Sequence, residues 1–295
     1  MNDTARLWRD AQDALARGDT TLGVACLEKV VAAEPGNVEA YRAIGRILRL
    51  AGRPDDAAAW YRRCLERAPG DPIATMGLVA LGQAPAPPRL PDGVVLYVFD
   101  RNAATYEANM RSLGYQVPDV LLKLLNDELG ATGRLDILDL GCGSGLCGPL
   151  LRPLARRLVG VDLSPRMLDL ARAKRAYDAL VEAELVDYLA TTPDAFDVVI
   201  AANVLIYFGD LAPLVDGVAR VLRGAGSFLF DVEKGVGAEP GFHVSGRYTH
   251  SRELVERTVQ SSGFAPARIE ETTMRTEGGA PVAALYCAAR RAQNQ

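Results

Sequence analysis

Apolar positions along this chain change their period at two points, near residues 82 and 93. Before the first they recur at helical spacing. Ala11, Ala14 and Leu15 share one face of a predicted helix, and Leu22, Ala25 and Cys26 share one face of the next. Gly18 breaks the chain between them, and the small Ala25 lets the two helices approach closely. Four prolines then fall within residues 83–92, a stretch that cannot continue a helix and favours extended geometry, so it reads as a semi-rigid linker. Beyond it, short apolar runs alternate with helical patterns. Residues 135–140, 158–162, 196–202 and 227–232 read as strands, 180–183 as a short one, and 267–273 with 282–288 as a terminal hairpin. Residues 118–129, 149–156, 165–173, 211–222 and 251–261 read as helices. The alternation predicts an α/β domain, a parallel sheet with helices on both faces, preceded by a small all-α domain. The expected boundaries are 1–82, a linker over 83–92, and 93–295.

The first segment repeats itself. Pro35 and Pro69 stand 34 residues apart, as do Gly18 and Gly52, and Ala25 and Ala59. Glu34-Pro35-Gly36-Asn37 returns as Ala68-Pro69-Gly70-Asp71. That period with a proline-bearing turn resembles the tetratricopeptide repeat. Two repeats and one further helix over 72–81 are fewer than the three or more usually needed to bury a continuous core. The array therefore requires a cap, either the following domain or a second subunit in a homodimer. A groove for a peptide or protein partner and a packing element are equally good readings of it.

Composition narrows the setting. The formal net charge is −4, and the arginines are scattered among acids rather than gathered in a basic stripe, which disfavours nucleic acid as a partner. The five cysteines are odd in number and match no disulfide framework. The first ten residues lack an apolar signal region, and no apolar run approaches the ~20 residues needed to span a bilayer. These features predict a cytoplasmic protein that makes no use of a membrane. Cys142 and Cys147 read as small apolar residues of a loop and helix. With only His243 and His250 to add, no metal site is expected.

The candidate chemistry lies at the end of the first strand, in Asp139-Leu140-Gly141-Cys142-Gly143-Ser144-Gly145. Glycines there let the backbone turn sharply and approach a ligand with no Cβ in the way. Asp162 ends the second strand about 20 residues later, where a carboxylate can accept hydrogen bonds from ribose hydroxyls.

Together these residues resemble the class I S-adenosylmethionine-dependent methyltransferases over residues 135–289, a Rossmann-like fold. Asp139 with Gly141, Gly143 and Gly145 is similar to the family's first motif, and Val161-Asp162-Leu163-Ser164-Pro165 with Met167 to its second. Val98-Phe99-Asp100, Tyr106 and Leu113-Gly114-Tyr115 resemble the lid helices of tetratricopeptide-linked bacterial methyltransferases, which gives residues 93–130 a lid role. The run 245–251 resembles a C-terminal segment of the same enzymes. The resemblance implies S-adenosylmethionine as cofactor. It implies that Gly141, Gly143 and Gly145 line its methionine and ribose portion, that Asp162 holds the ribose, and that Leu163 and Met167 pack near the adenine. Glu184, followed by Leu185, or Asp187 is the implied acid at the adenine amino group. Asn203 faces the methionine end and the substrate, and Tyr106 closes over the cofactor.

Plainer roles exist for several of these residues. Asp187 also suits a helix cap or a surface acid. Asn203 also suits the turn after its strand, and Tyr106 and Tyr115 the packing of the lid. His250, beside Arg247 and Tyr248 in a segment able to cross the cleft mouth, is the candidate base for removing a proton from a hydroxyl or amine. A helix-start role before Ser251 explains it slightly better. A sulfonium methyl is already activated, so the expected work of the protein is alignment and exclusion of water. Val98 to Tyr115 is expected to fold over the cofactor and Gly235 to His250 to contact the substrate. No Asn-Pro-Pro-Tyr-like motif follows residue 202, where Asn203-Val204-Leu205 stands. By resemblance that argues against amines of bases and glutamine amides, and oxygen on a small molecule or peptide is preferred. Two other classes stay open: an interaction scaffold that retains the fold, and an NAD(P)-dependent oxidoreductase, because residues 143–148 fit G-x-G-x-x-G. Intact motifs weigh against the first. The early Asp139 and Gly141, with no Tyr-x-x-x-Lys pair, weigh against the second.

Overall fold

The computed structural model describes residues 3–129, 134–193 and 195–292. The chain divides into two compact units. One comprises the chain up to Pro87 with Phe242–Arg247, and the other Pro88–Gly241 with the chain from Tyr248 onward.

The first unit is all helical: α1 (Asp3–Ala16), α2 (Thr20–Ala33), α3 (Val38–Leu50), α4 (Pro54–Arg67) and α5 (Pro72–Ala80). The repeat shows in its caps. Asp19, Asn37 and Asp71 each accept a backbone N–H of the first turn they precede, which satisfies a donor that the helix cannot. Gly18 and Gly52, one period apart, end their helices at φ +80° and +72°. Leu22 is exposed rather than on the buried face of α2, which carries Gly23, Cys26, Leu27 and Val30. The close approach of α1 to α2 falls at Gly23, where a Cβ would lie 2.8 Å from Leu15. The Tyr61 ring plays the same part between α3 and α5, because a Cβ at Gly45 or Gly77 would overlap it.

The second unit is an α/β sheet. Strands β1 (Leu135–Leu140), β2 (Ala155–Asp162), β3 (Ala179–Glu182), β4 (Phe196–Ala201) and β5 (Leu222–Lys234) run parallel in the order β3-β2-β1-β4-β5. After the two-residue β6 (Gly241–Phe242), β7 (Tyr248–His250) extends the sheet beside the far end of β5. The terminal hairpin of β8 (Arg268–Glu277) and β9 (Ala280–Arg290) closes the other flank, with β9 antiparallel to β5. Side chains alternate across the sheet as the strand period requires. Leu138 and Leu140 pack with α11 (Ala212–Val221) and α12 (Arg252–Ser261), whereas Ile137 packs with α7 (Val117–Leu129) on the opposite face.

Three local differences from the sequence reading have physical causes. The helix expected over 149–156 is only α8 (Gly148–Leu151), because Pro153 stops it and β2 already starts at Ala155. A helix not anticipated, α10 (Leu185–Thr191), starts on Glu184. The stretch expected as linker is bonded into the second unit from Pro88, whose carbonyl accepts the N–H groups of Gly209 and Asp210 at 2.8 Å. Leu90 donates to the Tyr207 carbonyl at 2.9 Å, and α6 (Asp92–Ser112) then begins. After α8, helix α9 (Pro165–Ala173) completes the set.

Candidate functional site

The glycines after β1 serve different ends. Gly141, Gly143 and Gly145 all adopt left-handed backbone, at φ +74°, +53° and +81°. A Cβ on Gly141 would also strike Val204 at 2.4 Å. A Cβ on Gly143 would meet nothing within 4 Å, since this residue faces open space. Gly145 instead packs inward on Ala171 and Tyr177 and lines no part of the cleft. Asp162, at the tip of β2, holds the loop: its carboxylate accepts Gly143 N–H and Ser164 N–H, both at 2.8 Å. Burial raises the Asp162 pKa, and these N–H groups work against that rise.

Two adjoining hollows lie over the loop. The larger encloses about 660 Å³ of empty space, counting the part open to solvent, and is lined by Gly141, Gly143, Asp162, Leu163, Leu185 and Asn203, among others. The smaller, about 310 Å³ counted the same way, reaches Asp139, Ser144 and Tyr115. Tyr106 on α6 borders both. Helix α6 is fastened across the site. Ser164 Oγ donates to Asp100 Oδ1 at 2.5 Å, Arg166 reaches the Asp100 carbonyl at 3.3 Å, and Lys174 ties Glu107 to the Ser144 carbonyl. The Phe99 ring stands edge-on to Tyr106 and Tyr207, with centroids 6.0 and 5.5 Å apart.

The floor holds buried carboxyls. Asp139 accepts the Tyr177 hydroxyl on Oδ2 at 2.6 Å, and its Oδ1 has no partner among the described residues. Burial pushes its pKa up to about 7, the Asp162 charge adds to the rise, and the Tyr177 hydrogen bond opposes it. Ser144 Oγ is likewise buried and unpartnered. Asp231 accepts Asn203 N–H at 2.7 Å and is also pushed up to about 7, chiefly by burial. Asn203 sits at φ +60°, a conformation that asparagine tolerates better than most residues. Its side chain bonds Tyr106, and its Oδ1 accepts Arg275 Nη1 at 3.3 Å. Arg275 is only 3% exposed and pairs with Glu233 and with Glu277.

The structure thus gathers Asp139, Gly141, Gly143, Asp162, Leu163, Glu184, Leu185, Asn203 and Tyr106 around one cleft. Glu184 also caps α10 by accepting Asp187 N–H at 2.9 Å, and Asp187 points to solvent, so Glu184 is the acid that faces the cleft. Met167, on the buried face of α9, is fully buried and lines neither hollow. His250, the expected base, is fully buried and outside both hollows, with Nε2 3.2 Å from the Gly209 carbonyl. Burial lowers its pKa, and the cap of α12 is its neighbour Ser251. Position on the cleft mouth is therefore corrected to a core position. Residues not anticipated are Arg89, which lines the cleft from the proline-rich stretch, and Asp231, Arg275 and Tyr177, which brace it from behind. Nothing in the local pattern marks them, because they meet the site only through the sheet topology. No group of three metal-ligating side chains occurs among the described residues.

Comparison with known proteins bears on both segments of the chain. Residues 138–230 match the methyltransferase domain family, and residues 9–72 match the tetratricopeptide repeat. A malonyl-[acyl-carrier protein] O-methyltransferase of Acetivibrio thermocellus is 33% identical over 135 residues, 45% of this chain and 46% of that protein. A ubiquinone biosynthesis O-methyltransferase of Thiobacillus denitrificans is 34% identical over 122 residues, 39% of this chain and 51% of that protein. The chain spans about half the length of these curated relatives. Among solved structures, the magnesium protoporphyrin IX methyltransferase of Synechocystis PCC 6803 with bound SAH superposes with a TM-score of 0.55 at 19% identity, covering 68% of this chain and all of that one. That likeness establishes the fold. The methyltransferase-domain match at 138–230 thus lies behind the tetratricopeptide match at 9–72.

Proposed function

We propose that this chain transfers the methyl group of S-adenosylmethionine to an oxygen of a small-molecule or peptide acceptor. The observation that carries the reading is the Asp162 carboxylate. It anchors the Gly143 backbone while facing a cleft in which glycine leaves open space. The residues fit the cofactor on three counts. Gly143 has room where any Cβ would project. Glu184 and Leu185 follow β3 where an adenine needs an acid and an apolar neighbour. Asp139 Oδ1 and Ser144 Oγ, buried without partners among the described residues, suit the polar methionine end.

The cofactor, when bound, supplies an activated methyl group. The chain's own residues do the rest. Asp162 would take the ribose hydroxyls, and Leu163 and Leu185 would flank the adenine, with Glu184 at its amino group. Tyr106 and Phe99 on α6 exclude water from the cleft, and Asn203 borders the reacting end. Because His250 lies outside the cleft, alignment rather than proton removal by that ring is the catalytic contribution. Oxygen is favoured by the O-methyltransferase relatives above, one of which acts on an acyl-carrier protein by its name. A carrier protein or peptide would give the repeats a role as acceptor dock. Five buried, unpaired cysteines support a reducing, cytoplasmic setting, and no helix among the described residues is long and apolar enough to cross a membrane.

Calorimetry with S-adenosylhomocysteine tests the reading. Asp162→Ala should weaken binding about 100-fold, since it removes charge-assisted hydrogen bonds to the loop and to the ribose. Binding of NAD in preference, or equal affinity in the variant, would remove the basis of the proposal. Methyl release into an acyl-carrier protein against a quinol-like phenol then distinguishes the acceptors.

A further inference from the structure

Tyr177 stands in the turn between α9 and β3, half-buried, just after Arg175 takes a left-handed backbone at φ +54°. Its ring lies against three glycine positions on three different segments. A Cβ at Gly160 on β2 would come within 3.0 Å of the ring, one at Gly148 within 2.7 Å, and one at Gly145 within 3.0 Å. Gly148 and Gly160 have no positive φ, so glycine there makes room for side chains rather than for a backbone turn: for Tyr177 alone at Gly148, and for Leu180, Cys142 and Tyr177 together at Gly160. The phenol oxygen, at the far end of this wedge, donates to Asp139 Oδ2 at 2.6 Å. That bond leaves Oδ1 as the free oxygen at the smaller hollow.

We propose that Tyr177 is a positioning residue of the cofactor site: its ring sets the backbone of the glycine-rich loop, and its hydroxyl aims the Asp139 carboxylate at a ligand ammonium group. This rests on the cofactor reading above. The titratable groups facing Asp139 are Tyr177, Asp162 and the thiols of Cys142 and Cys147, none of them a cation. An isolated buried carboxylate lacks charge compensation, and a bound amino-acid ammonium supplies it. The phenol bond favours the ionised Asp139, the form such a cation needs.

The test is calorimetric titration of the full chain with S-adenosylhomocysteine from pH 6 to 9, for wild type, Tyr177→Phe, Gly148→Ala and Asp139→Asn. Tyr177→Phe keeps the wedge and removes the donor. Its affinity should fall about 10-fold at pH 7, with the deficit narrowing toward pH 9 as Asp139 ionises without help. Gly148→Ala, which displaces the ring, should weaken binding by a comparable factor. In an Asp139→Asn background, Tyr177→Phe should add less than about 3-fold, since the two act on one contact. Wild-type binding with Tyr177→Phe and Gly148→Ala both unchanged in affinity and pH profile overturns this inference and leaves the cofactor reading intact. Failure of the wild type to bind overturns both.

Discussion

The two edges of the parallel sheet treat their carboxylates in opposite ways. At the amino edge, Asp136 is the second residue of β1. It accepts two hydrogen bonds from Arg156, at 2.9 and 2.6 Å, and one from Arg223 at 2.8 Å, while Arg223 also bonds Asp197 at 3.0 Å. Each of these four charges has a partner, and the guanidinium bonds hold the Asp136 pKa down to about 2. Three residues along the same strand, Asp139 is buried with one oxygen unpartnered and its pKa pushed up to about 7. Asp231 on β5 repeats the pattern. One residue type in one strand thus serves as scaffold or as site according to whether a cation meets it. Buried polar groups are ordinarily satisfied within the protein, so an edge that leaves several unsatisfied is where a ligand belongs.

Removing Arg275 gives the largest expected effect and tests whether the carboxyl edge is lax throughout. Arg275 is buried, and Arg275→Ala removes the cation that pairs with the buried Glu233. A loss of about 3–5 kcal/mol is expected by chemical denaturation. Adding Glu233→Gln should recover a large part of it. A loss under about 1 kcal/mol would mean that the pair is water-accessible and the contrast between edges is weaker than the burial implies.

The contrast itself is only partly legible in the sequence. The helix at 165–173 shows because apolar spacing, a proline at the first turn and the Ser164 cap agree; at 118–129 the apolar spacing and Pro118 suffice, and at 251–261 the apolar spacing and the Ser251 cap. The strands at 135–140 and 196–202 show because they are short, apolar and bounded by turns. The glycine loop and Asp162 show because their spacing carries its own geometry. Local spacing carries no information on partners across the sheet. Asp136 and Asp139 look alike in Leu135-Asp136-Ile137-Leu138-Asp139-Leu140, and only the register that sets Asp136 against Arg157 brings Arg156 beside it. Arg275 sits in a strand whose other polar residues are mostly exposed, and it is inward only because β8 shifts register between Thr273 and Arg275. His250 is a core residue for the same reason: its pairing with Lys234 on β5 places it in the short strand Tyr248–His250 rather than across the cleft mouth.

At the amino edge, Asp136→Asn should cost about 1–2 kcal/mol, a figure reduced by the solvent exposure of both arginines, and should leave S-adenosylhomocysteine affinity unchanged. The pH dependence of the wild type carries the same information. The folded pKa of Asp136 lies below the unfolded value near 4, so its contribution is present above pH ~4 and lost as the pH falls toward about 2. Denaturation of the variant should therefore be flatter than that of the wild type across that acid window.

The same substitution at the carboxyl edge should have the opposite sign. Asp231 keeps one hydrogen bond, from Asn203 N–H, and an asparagine carbonyl can accept that bond equally well. What Asp231→Asn removes is the obligation to ionise in a buried place. With its folded pKa raised to about 7 above an unfolded value near 4, the acid's contribution is fully present below pH ~4 and disappears as the pH rises through 7. The amide has no such loss. Asp231→Asn should match the wild type at pH 4 and exceed it at pH 8, by about 1 kcal/mol once the opposing Arg275 charge is allowed for. Equal or lower stability at pH 8 would show that Asp231 is ionised and compensated in the apo protein. The two edges would then differ in what they bind and not in how their charges are paired.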